Sequence, residues 1–131
     1  MIFIDTNILA NAYLDQGVKG EAARGFLDKI ARGQPACVSA LVLDELMWVL
    51  AKNGKAHLVR RSIESLYELP NMEILEVSPS APMAALFFME KYGLHPRDAF
   101  HAASMKENNI SKIVSDDAHF DKVKEFKRIP L

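Results

Sequence analysis

IFIDTNIL, residues 2–9 of the chain, joins an apolar run to a helical pattern through one acid, Asp5. The apolar run has the length of a short buried strand, and the apolar spacing that follows it predicts a helix from Ile8 to Leu14. Acids also follow a second apolar run directly, in the order Ile113, Val114, Ser115, Asp116 and Asp117. Because open α/β sheets carry their chemistry at strand ends, both junctions are candidate parts of a functional site.

Short apolar strands alternate with helices along the rest of the chain. Beyond Ile2 to Ile4, strands are predicted at Ala36 to Val38, Met72 to Val77, Lys112 to Val114 and, at an edge, Lys127 to Ile129. Helices are predicted at Glu21 to Ile30, from the N-cap Ser39 to Lys52, at Ala56 to Leu69, at Ser80 to Tyr92 and from Pro96 onward. The alternation indicates an α/β fold with a short central parallel sheet, flanked by helices on both faces and joined by right-handed crossovers.

The composition is that of one globular domain. With 131 residues, half of them apolar, the chain can bury a single core, and no linker or repeat divides it. The 16 basic and 17 acidic residues give a formal charge of −1, so a nucleic acid would have to be bound by a local basic patch. The only cysteine, Cys37, excludes an intramolecular disulfide and a thiolate zinc site.

No targeting or membrane segment is predicted from the sequence. The first strand is reached without a basic leader. The longest uncharged apolar stretch, Ala81 to Met89, is too short to cross a bilayer. We therefore expect a protein of the cytoplasm that makes no contact with a membrane.

Acidic residues from four parts of the chain are predicted to meet at one edge of the sheet. Parallel strands bring their carboxyl ends, and the starts of the helices that follow, to the same edge, where Asp5, Asp98 and Asp117 would lie. Glu45 is about two turns into its helix, roughly 9 Å from the cap. It lies at the border of the apolar face, whereas Asp44 lies nearly opposite. Each acid alone also has an ordinary explanation, as a helix cap, a charge at a helix N-terminus or a solvated flank.

Carboxylates gathered in this way call for a cation. At an effective dielectric constant of about 20, like charges about 4 Å apart repel by roughly 4 kcal/mol, so the group needs protonation, counter-charges or a metal ion. No cysteine or histidine cluster has ligand spacing, and a site built from oxygen favours Mg²⁺ or Mn²⁺ over Zn²⁺. His101, one turn after Asp98, either orients that carboxylate or belongs to the helix surface.

Four short segments, taken together, form a pattern along the chain. They are Ile4 to Leu9; Leu43, Asp44, Glu45 and Leu46; Arg97 to Ala103; and Ile113 to Phe120 with Asp121, after which Lys127, Arg128, Ile129 and Pro130 close the sequence. Their order and spacing resemble the PIN-domain ribonucleases, and in particular the VapC-type toxins of prokaryotic toxin–antitoxin pairs. The resemblance spans nearly the whole chain and implies one PIN-like nuclease domain, residues 1–131.

The resemblance also implies which residues form the site. Its metal-binding and catalytic acids would be Asp5, Glu45, Asp98 and Asp117; Asp117 is selected by the phenylalanine three residues later, and the adjacent Asp116 stays a second candidate. Ser115 matches a supporting Ser/Thr position, Thr6 is expected to support the site next to Asp5, and Asn7 either orients Asp5 or contacts the substrate.

The implied reaction is hydrolysis of RNA phosphodiester bonds with Mg²⁺ or Mn²⁺, which leaves 5′-phosphate and 3′-hydroxyl ends. The family resemblance further implies a homodimer and an inhibitory antitoxin that packs along the helices near the site. Three other functions fit less fully. A housekeeping RNA-processing PIN nuclease shares the same acids, and an inactive PIN fold that binds RNA or protein has no distinguishing sequence feature. A phosphoacceptor signalling domain needs an aspartate after its central strand, yet Ser78 and Pro79 follow Met72 to Val77.

Two basic clusters are candidates for RNA contact. Lys52, Lys55, His57, Arg60 and Arg61 follow the Glu45 helix, and Lys122, Lys124, Lys127 and Arg128 lie further on; solvated helix faces are the alternative for both. Trp48 projects away from the apolar face of its helix, so either a partner or ordinary packing would cover it. The stretch from Leu86 to Met89 is either core or dimer interface.

Overall fold

A five-stranded parallel sheet forms the centre of the computed structural model, which describes residues 1–131. The strands are β1 Ile2–Ile4, β2 Ala36–Ser39, β3 Met72–Leu75, β4 Lys112–Val114 and β5 Lys127–Ile129, in the spatial order β3-β2-β1-β4-β5. Every neighbouring pair in this order is parallel. The α/β class with a short parallel sheet is therefore confirmed, and β5 takes the edge position that the sequence predicts.

Six α-helices connect and cover the strands. They are α1 Thr6–Leu14, α2 Val18–Ala31, α3 Ala40–Lys52, α4 Val59–Glu68, α5 Ala81–Tyr92 and α6 Pro96–Glu107, and two 3-10 turns lie at Ala56–Leu58 and Ala118–Lys122. The helix predicted from Ala56 is thus an α-helix only from Val59. No side chain caps its first turn; a 3-10 turn begins there instead, in which the backbone N–H of Leu58 donates to the carbonyl of Lys55 at 2.8 Å.

Local signals set the starts of the two helices that matter for the site. The Ser39 hydroxyl accepts a hydrogen bond from the backbone N–H of Val42 at 3.3 Å, so α3 begins where β2 ends. Gly93 ends α5 in the left-handed region, with φ 67°, and Pro96 occupies the first turn of α6. Both helices therefore begin at the carboxyl edge of the sheet.

The strand order reverses between β1 and β4. From β1 the chain moves outward through β2 and β3, then returns to add β4 and β5 on the other side of β1. In open α/β sheets, ligands bind outside the carboxyl ends of the strands at such a reversal.

The strand order also differs from the 2-1-3-4-5 order of flavodoxin-like domains. The strand at Met72–Leu75 is an edge strand here, so the phosphoacceptor alternative loses its topological basis.

Two apolar clusters surround the sheet. The larger one contains the strand residues Phe3 and Ile113 and the inner faces of α1 to α4, and the smaller one joins α5 to α6 around Phe88. The stretch from Leu86 to Met89 was predicted to be either core or dimer interface. Phe88 is buried in the core, while Leu86 and Phe87 are exposed. None of the helices combines the length and the apolar character needed to cross a bilayer.

Cys37 is expected to resist thiol reagents as long as the protein is folded. The residue is buried within β2, and burial, together with the negative charge of Glu73, raises the pKa of its thiol to about 12. Because the thiolate is the reactive species, iodoacetamide should modify the native protein far more slowly than the urea-unfolded protein. Intact-mass measurement over time checks this, and rapid alkylation without denaturant would contradict it.

Candidate active site

Asp5 stands at the junction of β1 and α1. Its backbone N–H donates to the carbonyl of Val114 in β4 at 3.0 Å, and its Oδ1 accepts from the backbone N–H of Thr6 at 2.7 Å as the N-cap of α1. Its Oδ2 accepts from the Ser115 hydroxyl at 2.5 Å and from the Asn7 amide at 2.9 Å. Groups on both sides of the strand reversal therefore fix the Asp5 carboxylate, and they include the three supports that the sequence suggests.

Glu45 points inward from α3. It is buried while the adjacent Asp44 is exposed, as the helical spacing predicts. Its Oε2 accepts a short hydrogen bond from the Thr6 hydroxyl and lies 3.3 Å from Nε2 of His101. Its Oε1 lies 3.5 Å from Nε of Arg97, a half-exposed side chain at the start of α6. Thr6 thus connects Glu45 with the Asp5 junction.

His101 lies beneath these carboxylates rather than on the helix surface. Its side chain is 1% exposed, and Nε2 is 3.3 Å from Glu45 Oε2 and 3.8 Å from Asp5 Oδ1. Its ring packs against Phe3 of β1, with 5.6 Å between the ring centroids. The sequence left open whether His101 orients Asp98 or belongs to the helix surface, and in the structure it is buried and contacts Glu45. Residue 101 lies on the buried face of α6, whereas Asp98 lies in the first turn, nearer to solvent.

Asp98 and Asp117 complete the acidic group. Asp117 follows β4 and caps the next 3-10 turn, where its Oδ1 accepts from the backbone N–H of His119 at 2.8 Å and lies 2.7 Å from His119 Nδ1. One cavity of about 370 Å³ is lined by all four acids, and its lining comprises Asp5, Thr6, Asn7, Ala10, Glu45, Trp48, Val49, Arg97, Asp98 and Asp117. We refer to it as the acidic cavity.

Asp116, the second candidate for the fourth acid, faces away from the acidic cavity. Its Oδ2 accepts from the Asn11 amide at 3.0 Å and lies 3.4 Å from Nζ of Lys19. The backbone N–H of Asp117 donates to the Ser115 hydroxyl at 2.9 Å, which turns the chain between the two acids. Asp117, and not Asp116, therefore lines the cavity.

Two of the four carboxyls are destabilised as anions. Burial raises the pKa of Asp5 above its usual value, although His101 and the hydrogen bond from Ser115 oppose the shift. Burial, followed by repulsion from Asp5 and Asp117, raises the pKa of Asp98 to about 6. The raised pKa of Asp98 thus reflects repulsion among the carboxylates that line the acidic cavity.

The other two carboxyls are stabilised as anions. Burial raises the pKa of Glu45, but hydrogen bonding and charge from His101 and the hydrogen bond from Thr6 outweigh it, so the pKa lies below the usual value. For Asp117, burial is likewise outweighed by the backbone and side chain of His119, and the pKa is lowered. The site therefore keeps a negative character in the pH range where proteins work.

These residues fit a divalent cation bound through oxygen. Oε1 of Glu45 is buried and accepts no hydrogen bond, although Nε of Arg97 lies 3.5 Å away, so this carboxylate oxygen of a cavity-lining residue has capacity for a further partner. Ligand atoms of Asp5, Glu45 and His101 lie within 4.8 Å of one another. His101 does not line the cavity, and its Nε2 faces the two carboxylates, so it is placed to orient ligands rather than to coordinate. Hard oxygen donors of this kind suit Mg²⁺ or Mn²⁺.

The basic residues expected to bind substrate lie outside the acidic cavity. Lys52 comes nearest, with Nζ 4.6 Å from the ring centroid of Trp48, which lines the cavity. Arg60 pairs with Glu64 at 3.0 Å on the surface of α4. The others in that cluster, Lys55 and Arg61, are exposed and contribute nothing to the lining.

Sequence reasoning missed two features of the site. His119 was not singled out, and its only local signal is its place two residues after Asp117. Trp48 was identified as exposed, but its place in the cavity lining depends on how α3 packs against β1 and α6, which helical spacing does not reveal. Arg128, from the second basic cluster, forms an ion pair with Asp121, in which Nε donates to Oδ1 at 2.8 Å and Nη2 donates to Oδ2 at 2.9 Å.

The fold and site together define an α/β domain with a carboxylate-lined cavity at the reversal of its parallel sheet. A family profile for the PIN domain matches residues 2–126. The chain therefore belongs to the PIN-domain family, as the sequence motifs suggested. A comparison with curated protein sequences finds no match.

Solved structures of known proteins share the whole fold. The VapC20 toxin of Mycobacterium tuberculosis, described as cleaving the sarcin-ricin loop, superposes with a TM-score of 0.79 at 15% identity, over 95% of each chain. FitAcB from Neisseria gonorrhoeae gives 0.76 at 19% identity, over 98% of this chain and 96% of that one. VapBC2 from Rickettsia felis, solved with a DNA fragment from its promoter, gives 0.74 at 20% identity, over 99% and 98%. At these identities the likeness establishes the fold.

Proposed function

We propose that this protein is a divalent-metal-dependent ribonuclease and the toxin of a toxin–antitoxin pair, with residues 1–131 as its single nuclease domain. The observation that carries the proposal is the convergence of Asp5, Glu45, Asp98 and Asp117 on one cavity. Membership of the PIN family supports nuclease chemistry. All four candidate ligands in the lining are carboxylates, which supports a hard cation, Mg²⁺ or Mn²⁺.

The proposed roles follow from the contacts of each residue. Asp5, Glu45, Asp98 and Asp117 would hold the cation, which when bound supplies the Lewis acidity that polarises a phosphodiester and makes water a stronger nucleophile. Ser115, Asn7 and Thr6 hold the carboxylates of Asp5 and Glu45 in place before substrate arrives, which limits reorganisation during the reaction. Arg97 is half exposed beside Glu45 and is positioned to meet the anionic RNA backbone at the cavity mouth.

RNA cleavage with and without a chelator tests the proposal. Purified protein should cleave single-stranded RNA with Mg²⁺ or Mn²⁺, should lose activity in EDTA and should regain it when excess Mn²⁺ is added. Mapping of the cut ends should find 5′-phosphate and 3′-hydroxyl groups. Cleavage that persists in EDTA would overturn the metal requirement, and absence of cleavage with every divalent ion would overturn the nuclease assignment.

Metal ions are expected to stabilise the protein measurably. A cation that binds only the folded state stabilises it by about 2.7 kcal/mol at a concentration 100 times the Kd, which for a domain of this size raises Tm by roughly 10 °C. Attraction between the cation and the carboxylates would supply that binding energy, and relief of the repulsion around Asp98 would add to it. Differential scanning fluorimetry with Mn²⁺ checks this. An unchanged Tm at saturating Mn²⁺ would show that the acidic cavity is not a metal site.

The toxin role is the finer part of the proposal. Its support is that the solved structures sharing this fold include a toxin and a toxin–antitoxin complex. Expression should arrest growth, and co-expression of the product of the neighbouring gene should restore it. Harmless expression of an active enzyme would favour a housekeeping RNA-processing nuclease instead. Since RNA is the proposed substrate, we place the activity in the cytoplasm.

Two protein partners belong to the same proposal, an antitoxin and a second copy of the chain. Support for a second copy comes from α5, where the exposed side chains of Met83, Leu86 and Phe87 form an apolar face. Light scattering coupled to size-exclusion chromatography should give the mass of a homodimer. A monomer at micromolar concentration would overturn the dimer and leave the nuclease assignment intact.

A further inference from the structure

We propose that Trp48 is a base-stacking residue of the RNA site, with Lys52 as its cationic partner. The inference rests on the proposed ribonuclease function and adds to it that the RNA must present an unpaired base next to the cleaved bond.

The first observation is the position of Trp48. It lies one turn after Glu45 on α3, about 4.5 Å further along the helix axis, and it lines the same cavity as the four acids. Its side chain is 55% exposed. A large indole left open beside a charged cavity provides an apolar surface where a substrate group, rather than the core of the protein, is to be bound.

The second observation is the charge around the ring. Nζ of Lys52 lies over the indole at 4.6 Å from the ring centroid, and the large exposed fraction leaves the rest of the ring free. Arg97, also in the cavity lining, adds a second half-exposed cation. The cavity therefore combines acids with an aromatic surface and two nearby cations. An aromatic surface with adjacent cations is the combination by which proteins bind single-stranded nucleic acids.

The third observation separates an RNA base from a protein segment as the occupant. The exposed apolar surface of α3 is split, since Met47 faces a groove with Val59 and Ile63 between α3 and α4, while Trp48 faces the acidic cavity. An apolar peptide would find its contacts in the groove at Met47. A base linked to a phosphate matches the cavity, where an aromatic ring stands next to cations and to the proposed metal ligands.

Stacking on Trp48 restricts the substrate. A base in a duplex is already stacked on its neighbours, so it must be unpaired or extruded before an aromatic side chain can cover its face. Stacking on Trp48 is therefore expected to favour an unpaired base over a paired one at this position.

The intrinsic fluorescence of Trp48 offers a direct test, because it is the only tryptophan in the chain. The Asp98→Asn variant with Mg²⁺ would be titrated with a short single-stranded oligoribonucleotide of mixed sequence and, in parallel, with the same sequence as a duplex. Saturable quenching by the single strand, and much weaker quenching by the duplex, is expected. Unchanged fluorescence while anisotropy of labelled RNA reports binding would overturn the inference.

Cleavage kinetics provide the second arm. Trp48→Ala should raise KM about tenfold with kcat close to that of the wild type, and Trp48→Phe should recover most of the loss, because stacking tolerates any aromatic ring. Met47→Ala changes an exposed neighbour outside the acidic cavity, so it is the matched control and should leave KM unchanged. A wild-type KM in Trp48→Ala would overturn the inference and leave the ribonuclease proposal standing. Failure of the wild type itself to cleave RNA would instead overturn the proposed function.

Discussion

Replacing Asp98 with asparagine is expected to abolish RNA cleavage while raising the melting temperature of the metal-free protein. Burial and repulsion from Asp5 and Asp117 raise the pKa of Asp98 to about 6. A carboxyl whose pKa is raised by folding destabilises the native state at pH values above the raised pKa, where it is ionised. This destabilisation disappears as the pH falls to the ordinary pKa of the carboxyl. Asparagine keeps the shape of the side chain, removes the charge and so relieves the repulsion.

The same substitution removes a proposed metal ligand. We expect the cleavage rate to fall on the order of 10³-fold or more, since groups acting together on a charged reaction centre lose most of their effect when one is removed. Activity and Tm should therefore move in opposite directions. Cleavage assays and scanning fluorimetry with EDTA at mildly alkaline pH measure the two quantities on the same sample.

Asp44→Asn is the matched control for this experiment. Asp44 carries the same carboxyl group next to Glu45 on α3, but it is exposed and does not line the acidic cavity. We expect wild-type cleavage and an unchanged Tm. If Asp98→Asn cleaved RNA as fast as Asp44→Asn, the proposed catalytic site would be wrong. If the metal-free Tm of Asp98→Asn did not rise, repulsion between Asp98 and the neighbouring carboxylates would not contribute to metal binding.

Replacing His101 with leucine is expected to weaken both the fold and the binding of metal. Leucine fills a similar volume but donates no hydrogen bond, so the buried Glu45 Oε2, 3.3 Å from His101 Nε2, loses a partner. The Thr6 hydroxyl still donates to the same oxygen, so the loss is that of one hydrogen bond to a buried charged group, about 1.5 to 3 kcal/mol in the free energy of unfolding. Loss of a group that orients metal ligands lowers metal affinity by roughly 10- to 100-fold.

Two variants separate orientation of Glu45 from general packing. In His101→Gln the amide nitrogen sits close to where Nε2 of the imidazole lies, so this variant should recover much of the Mn²⁺ affinity measured by calorimetry. Met105→Leu alters a fully buried residue one turn further along α6 and should cost less than about 1.5 kcal/mol, with unchanged Mn²⁺ affinity. Wild-type Mn²⁺ affinity in His101→Leu would show that the histidine only fills space.

Local sequence patterns were sufficient for most of the fold. Apolar runs such as Ile2 to Ile4 locate the strands, and the Ser39 cap and Pro96 locate the starts of the helices that follow. Once the strands are parallel, the carboxyl ends of β1 and β4 must lie at one edge, so Asp5 and Asp117 come together. The inward direction of Glu45 follows from helical spacing and is confirmed by its burial.

Contacts between elements account for what the sequence did not reveal. The partner of His101 depends on how α6 packs over β1 and α3, and spacing along α6 alone indicated Asp98. The choice between Asp116 and Asp117 depends on a turn in which the Ser115 hydroxyl accepts from the second acid's backbone N–H. The place of Trp48 in the cavity lining depends on how α3 packs against β1 and α6. The roles of all these residues remain predictions for the experiments above.

The contact between Asp5 and Ser115 joins positions 110 residues apart in the sequence. A ribosome-bound fragment that stops before β4 would hold three of the four acids and still lack Val114 and Ser115, two of the residues that hold Asp5 in place. Closing a loop of this length carries an entropic cost, which the contacts between β1 and β4 must offset. In the proposed ribonuclease, the complete acidic cavity would therefore exist only after the segment through Asp117 has been synthesised and has paired with β1, so a shorter nascent chain would not yet cleave RNA.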